Sequence, residues 1–365
     1  MLQRRRDDRG RAETIAADAA CLTDRLRIAA RAIDDNIGWH RIGVVLSLCI
    51  IAIACFVLFR TLRDIDLREV LNAIETTRPR NILIAGLFVA AGYFTLTFYD
   101  LFALRNIGKA HIGYRIAAMA GFTSYAVGHN IGASAFTGGA VRYRIYSLHG
   151  LSAVDVAKLC FITGLTFWLG NATVLGLGIL YTPRSASAID QLPIWFNRTA
   201  AVVTLAILAS YVAWVWKTPR RVGHSTWEVT LPNGPLTLLQ IGIGVMDLAC
   251  CALAMYMLLP TEPYFGFVEL AVIFVTATLL GFASHSPGGL GVFDAAMLVA
   301  LWQYDKEDLL AGLLLFRLLY YIVPFAIALA VLGTRELWLG WTRQNVEPVG
   351  EPTSDGRNRG RQDIA

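Results

Sequence analysis

The sequence predicts an all-α polytopic membrane protein, with about six full transmembrane helices and two re-entrant, broken helical segments in an inverted repeat. Three observations carry this prediction. Of the 365 residues, 56% are hydrophobic and 16% charged, whereas a soluble domain carries roughly a quarter charged residues. The apolar residues form long blocks separated by short basic connectors, the pattern of repeated bilayer crossings. Two of these blocks are interrupted by glycine pairs at matching places.

Residues 1–41 hold nine arginines and seven acids, with Ile15, Ala19, Leu22, Leu26, Ala29, Ile33 and Ile37 recurring at three- and four-residue spacing. An amphipathic surface helix and a disordered cytoplasmic segment both fit this pattern. Given its length and polarity, no cleavable signal peptide is expected. A first span runs from Ile42 to Phe59, and a second amphipathic pattern (Leu67, Val70, Leu71, Ile74) stops at Pro79. Plain spans are expected near 82–103, 159–181, 199–216, 236–259 and 308–333. Residues 116–147 are interrupted at Gly128-His129-Asn130, Gly132 and Thr137-Gly138-Gly139, and residues 265–302 at Ser284-His285-Ser286-Pro287-Gly288-Gly289. The membrane domain is therefore 42–333, with half-repeats 42–181 and 199–333, followed by a polar cytoplasmic tail, 334–365.

Charge decides how the interrupted stretches are read. With both re-entrant and the amino terminus inside, 23 of the 32 lysines and arginines lie on the cytoplasmic side and 8 outside, Arg317 being in the membrane. Were the first stretch to cross, Arg142, Arg144, Lys158, Lys217, Arg220 and Arg221 would move outside, against the positive-inside rule. Eight full crossings is the alternative, because an arm such as 116–133 is long enough to span. On the re-entrant reading each half repeats the order span, span, broken loop, span, from opposite faces. Landmarks agree, with 150 residues between Gly138 and Gly288 and 147 between Asp100 and Asp247. Inverted repeats with discontinuous helices are a transporter design, with the site where the breaks meet.

Ionisable groups at depth are the candidate site residues. Asp247 lies mid-span and Arg317 is the matching base; a structural Asp247–Arg317 pair is the alternative to a transport role. Asp100 sits nearer a span end, where a snorkelling interfacial acid is equally consistent, and Asp294 could face water at a loop mouth. Asn130 and the pairs Gly138-Gly139 and Gly288-Gly289 mark non-helical backbone, which survives at membrane depth only inside protein or beside a cavity. Arg142 and Arg144, with Arg105, Lys109, Arg115 and Lys158, suggest a basic collar for anionic headgroups. His129 and His285 occur at the two breaks, where helix-end hydrogen bonding is the expected role. Cys49, Cys55, Cys160, Cys250 and Cys251 read as packing residues in apolar stretches. No nucleotide loop, zinc spacing or nucleophile–base pair emerges, so neither a cofactor, a metal nor enzyme activity is expected.

Thr137-Gly138-Gly139-Ala140-Val141-Arg142-Tyr143-Arg144-Ile145-Tyr146, followed by His149-Gly150-Leu151-Ser152, resembles the membrane region of the lysylphosphatidylglycerol synthetase/flippase family. Ser286-Pro287-Gly288-Gly289-Leu290-Gly291-Val292-Phe293-Asp294 resembles its second signature, with Asp294 where the family usually has Glu. The resemblance covers most of 40–335 and implies movement of lipid. Bifunctional members flip aminoacylated phosphatidylglycerol outward and carry a cytoplasmic synthase domain, which is not expected here. The family's acids and arginine map onto Asp100, Asp247 and Arg142. The expected function is flippase-like translocation of an anionic or aminoacylated phospholipid across the bacterial cytoplasmic membrane, with both termini cytoplasmic. A lipid-synthesis enzyme and a second copy are possible partners; no nucleic acid is expected. An ion-coupled solute carrier and a non-transporting scaffold are the alternatives.

Overall fold

The computed structural model describes residues 77–344 apart from 133, 219, 225, 226, 285 and 286, with single positions 68, 72 and 75 before them. The segment 1–41, the span Ile42–Phe59, most of the amphipathic 61–78, His285 and the end of the tail lie outside the described residues. Five helices are long and apolar enough to cross a bilayer: α1 (Pro79–Asn106), α4 (Ala153–Tyr181), α6 (Ile194–Trp214), α7 (Gly234–Leu258) and Lys306–Trp338. The last belongs to one long rod, α10 (Lys306–Arg317), a π-helical turn (Leu318–Ile322) and α11 (Val323–Gln344). Helix therefore continues past the expected end of the span at 333, through the first part of the expected tail.

Local sequence sets the ends of these rods. Proline opens α1 and follows Gly234 in α7, where its fixed φ suits a helix start. Asn233 caps α7 by accepting from the Leu236 amide at 3.3 Å. Ser152 and Asp155 form a capping box on α4, with the Asp155 amide donating to the Ser152 hydroxyl at 3.1 Å. A short helix α5 (Pro183–Asp190) joins α4 to α6. Between α6 and α7 lies a small antiparallel β-hairpin, β1 (Arg221–His224) and β2 (Trp227–Thr230), which the all-α expectation did not include.

Both interrupted stretches are helical hairpins. The first is α2 (Tyr114–Ile131) and α3 (Ser134–Tyr146). A Cβ on Gly128 would lie 3.3 Å from Ser134, and one on Gly138 3.1 Å from the Ser124 carbonyl, so the arms run back along each other. The second is α8 (Phe267–Ala283), a 3-10 turn at Pro287–Gly289, and α9 (Val292–Ala300), with Gly281 against Gly289 and the Phe274 and Phe293 rings 5.6 Å apart. At about 1.5 Å per residue α9 extends only about 14 Å, half the hydrocarbon thickness. Each hairpin also returns to the face it left. Lys109, before the first, pairs with Asp155, after it, at 3.3 Å. Phe265 and Tyr304 flank the second, with ring centroids 6.3 Å apart. These closures fit the re-entrant reading of both stretches.

The two hairpins enter from opposite faces. The Asn106 amide donates to Thr230 at 2.6 Å and Arg144 pairs with Glu336, also at 2.6 Å. The ends of α1, α3 and α11 and the approach to α7 thus share one face. The far end of α7 lies near the mouth of the second hairpin on the other face, where Tyr256 donates to the Phe265 carbonyl at 3.3 Å. The counterparts α1 and α7 pack antiparallel: Gly92 lies under Cys250 and Cys251, and Tyr99 reaches Asp247. Among the described residues, the first half thus runs helix, hairpin, helix and the second helix, helix, hairpin, helix, the expected first span lying outside them.

Candidate functional site

The hairpin breaks meet in the middle of the protein, beside the π turn of the last helix. Asn130, at the end of α2, donates to the Tyr321 carbonyl at 3.1 Å, and Gly288 lies 3.7 Å, from its would-be Cβ, to the Tyr321 ring. A π turn shifts the hydrogen-bond ladder and leaves carbonyls seeking donors. Two side chains supply them here, Asn130 to Tyr321 and the Tyr93 hydroxyl to Tyr320 at 3.0 Å. Asn130→Ala is therefore expected to lower stability by about 1–3 kcal/mol, by orphaning a buried carbonyl. Asn130→Gln, a longer donor, should recover part of the loss. Detergent-resistant thermal unfolding checks both.

The glycine pairs turn out to do different things. Gly288 and Gly289 adopt φ of 60° and 63°, a left-handed break as expected. In the first hairpin the break is instead at Gly132, with φ of 85°, and Gly138-Gly139 lie within α3. There Gly138 leaves room for the Ser124 carbonyl and for the Arg142 guanidinium, 3.4 Å from its would-be Cβ.

Arg142 and Arg144 are consequently not an open collar. Arg142 is 4% exposed and grips Asp100, itself fully buried, with Nε to Oδ1 at 3.1 Å and to Oδ2 at 3.0 Å, and Nη2 to Oδ1 at 2.8 Å. The Tyr146 hydroxyl donates to the same carboxylate at 2.9 Å. Asp100 is thus no snorkelling acid: Arg142, on α3, holds it inside the protein. Arg144 is 5% exposed and makes a two-pronged contact with Glu336. Lys109 is taken by Asp155, while Arg105 and Arg115 stay exposed. Asp294 is partly exposed, and it is also tied to the protein. It accepts from the Gly291 amide at 3.1 Å, capping α9, and pairs with Arg317, whose Nε lies 3.0 Å away. Arg317 also reaches toward the Gly288 carbonyl at 3.5 Å. It ties the second break to the π turn and is not the partner of Asp247.

Asp247 is 5% exposed. Two hydroxyls donate to it, Tyr99 at 3.3 Å and Thr95 at 3.4 Å, and among the described residues no ion pair reaches it. Desolvating a lone acid at membrane depth costs roughly 2.5–3.5 kcal/mol on insertion scales, so the position is a functional candidate. A column of rings joins the two ion pairs. Arg142 lies 4.7 Å from the Tyr125 ring; Tyr125 and His129 are 5.7 Å apart, His129 and Tyr320 5.9 Å, Tyr320 and Tyr321 5.1 Å; and Arg317 lies 6.0 Å from Tyr321. Among the described residues His129 Nδ1 has no hydrogen-bond partner, and its ring stands in this stack. The tyrosines, Tyr146 and Glu336 escape a reading of charged residues at depth; the consecutive Tyr320-Tyr321 within an apolar span was the available signal.

The chain is similar to proteins of several bacteria. It is 30% identical over 257 residues to a protein of Synechocystis sp. (strain PCC 6803), covering 70% of this chain and 80% of that one. It is 26% identical over 276 residues to the inner membrane protein YbhN of Escherichia coli K12, covering 73% and 84%. Phosphatidylglycerol lysyltransferase of Staphylococcus xylosus is 25% identical over 310 residues, 80% of this chain but 34% of that enzyme. The family profile described as "Lysylphosphatidylglycerol synthase TM region" matches residues 42–328, and the chain belongs to that family.

Proposed function

We propose that this multi-pass membrane protein translocates phospholipid headgroups, anionic or aminoacylated, between leaflets, as a carrier and not as an enzyme. The observation that carries the reading is the meeting of two oppositely inserted broken hairpins around charged groups at membrane depth. Membership in a family whose larger relatives include a phosphatidylglycerol lysyltransferase supports a lipid as the substrate. In this reading the packed ring column from Tyr125 to Tyr321 is the closed state, and passage requires the hairpin tips to part. The two ion pairs act as fixed points that hold each hairpin to its neighbouring helix. Asp247, between them, is the group that meets an amine-bearing headgroup in transit. The bacterial inner membrane is the proposed site, with the face bearing Arg105, Lys109 and the β-hairpin cytoplasmic.

Asp247→Asn keeps the shape and removes the charge. Outer-leaflet aminophospholipid, read with a membrane-impermeant amine label on cells producing equal amounts of each protein, is expected to fall to the level of cells lacking the protein. An unchanged outer leaflet rejects the reading.

A further inference from the structure

Away from the polar core, α4, α6 and α7 enclose an open groove of about 880 Å³, within the size range of small-molecule sites. Its walls are apolar, with Leu205 and Ala209 from α6 and Leu238 from α7. From Leu205 to Trp214 is nine residue steps, about 14 Å. That is half of a hydrocarbon core of about 30 Å, the depth of one leaflet.

The groove ends in a cationic, aromatic rim. Trp214, Trp216, Lys217 and Arg220 line it there, and among the described residues no carboxylate does. Arg220 is positioned and not merely present: its guanidinium lies 5.7 Å from the Trp214 ring and its Nε donates to the Trp214 carbonyl at 3.3 Å. Trp216 lies flat on the start of α7, where a Cβ on Gly234 would come within 2.6 Å of its ring. Tryptophan favours the headgroup level of a bilayer. The rim also sits on the membrane face marked by Asn106 and Thr230, since the Leu231 amide donates to the Arg220 carbonyl and the Asn106 amide to Thr230, both at 2.6 Å. An apolar slot one leaflet deep, closed at the interface by two cations and two indoles, matches one kind of occupant.

We propose that this groove is a binding site for a phospholipid with an anionic headgroup, its chain along Leu205 and Ala209 and its phosphate at Lys217 and Arg220. The site stands apart from the ring column and does not depend on whether the protein moves lipid. It commits to a lipid because a phosphodiester joined to an acyl chain supplies both the counter-charge for Lys217 and Arg220 and the apolar filling for the slot below them.

The test uses the full chain in vesicles and quenching of tryptophan fluorescence by phosphatidylglycerol or phosphatidylcholine with brominated acyl chains. Brominated phosphatidylglycerol is expected to quench more strongly, and the excess should vanish in Trp214→Phe/Trp216→Phe. Each of Lys217→Ala and Arg220→Ala should weaken the preference about fivefold, from about 1 kcal/mol per interfacial cation. Arg220→Lys should keep most of it. Ala209→Phe, which fills the slot and leaves the rim, should reduce quenching of the two rim tryptophans by both lipids. Equal quenching by the two headgroups in the unmodified protein overturns the proposal. So does an unchanged signal in Ala209→Phe. Absence of any bromolipid contact at Trp214 and Trp216, the result expected if a second copy covers the groove, overturns it as well.

Discussion

Arg142→Ala is expected to lower the stability of the folded protein by about 3–5 kcal/mol, the range for breaking a buried ion pair from one side. The cause is what remains behind. Asp100 is fully buried, and with Arg142 gone its carboxylate keeps, among the described residues, the Tyr146 hydroxyl at 2.9 Å alone. The size of the effect separates two accounts of the pair. Were the contact worth only its hydrogen bonds, the loss would be nearer the roughly 0.6 kcal/mol average for interhelical bonds in membranes. Arg142→Lys should fall between, because an ammonium cannot match both the Nε and the Nη2 bonds of the fork. Asp100→Asn/Arg142→Gln, which removes both charges, should cost less than Arg142→Ala alone. Equilibrium unfolding in mixed detergent micelles, followed by circular dichroism, checks the series. A loss below about 1 kcal/mol for Arg142→Ala would mean that Asp100 finds water or another partner.

The same pair shows how far sequence carried and where it stopped. Counting lysine and arginine placed both ends of the 116–147 stretch on one face, and the Lys109–Asp155 contact at 3.3 Å agrees. Charge placement is legible because topology follows from short connectors, each read on its own. Depth is less legible. Asp100 lies six residues before the end of α1, which suggests the interface. Its burial comes from Arg142, 42 residues on, and from the rotation of α3 that aims it inward. Gly132 and Gly138 illustrate a different limit. Glycine serves both a positive φ and a close approach, and composition cannot say which. Here the break fell to Gly132, while Gly138 admits the Ser124 carbonyl. Glu336 reads as tail because polar residues follow it, yet the rod extends far enough for Arg144 to claim it. The π turn has no periodicity of its own, and only the carbonyls taken up by Tyr93 and Asn130 reveal it.

Gly244→Leu, at the crossing of α4 and α7, is expected to cost about 3 kcal/mol or more, and Gly244→Ala about 1–3 kcal/mol. A Cβ on Gly244 would lie 2.8 Å from the Thr166 carbonyl, and one on Gly170 2.7 Å from the Gly244 carbonyl carbon. The obstacle in each case is backbone, which has no rotamer to change, so the helices must separate. Such close approach through small residues is how membrane helices gain contact, since lipid offers them no hydrophobic gain. Separation would also break the bond one turn earlier, where Gln240 donates to the Thr166 hydroxyl at 2.7 Å and to the Ile162 carbonyl at 3.2 Å. Helix propensity acts in the opposite direction, because alanine is favoured over glycine by about 1 kcal/mol in a helix. The same two helices provide the comparison that isolates the clash. Gly164 in α4 and Gly242 in α7 have nothing within 4 Å of a would-be Cβ. Alanine there should therefore leave stability unchanged or raise it by up to about 1 kcal/mol. If Gly244→Ala behaves like Gly242→Ala in the same unfolding measurement, the α4–α7 crossing is not a backbone contact, and the two halves of the repeat are held together elsewhere.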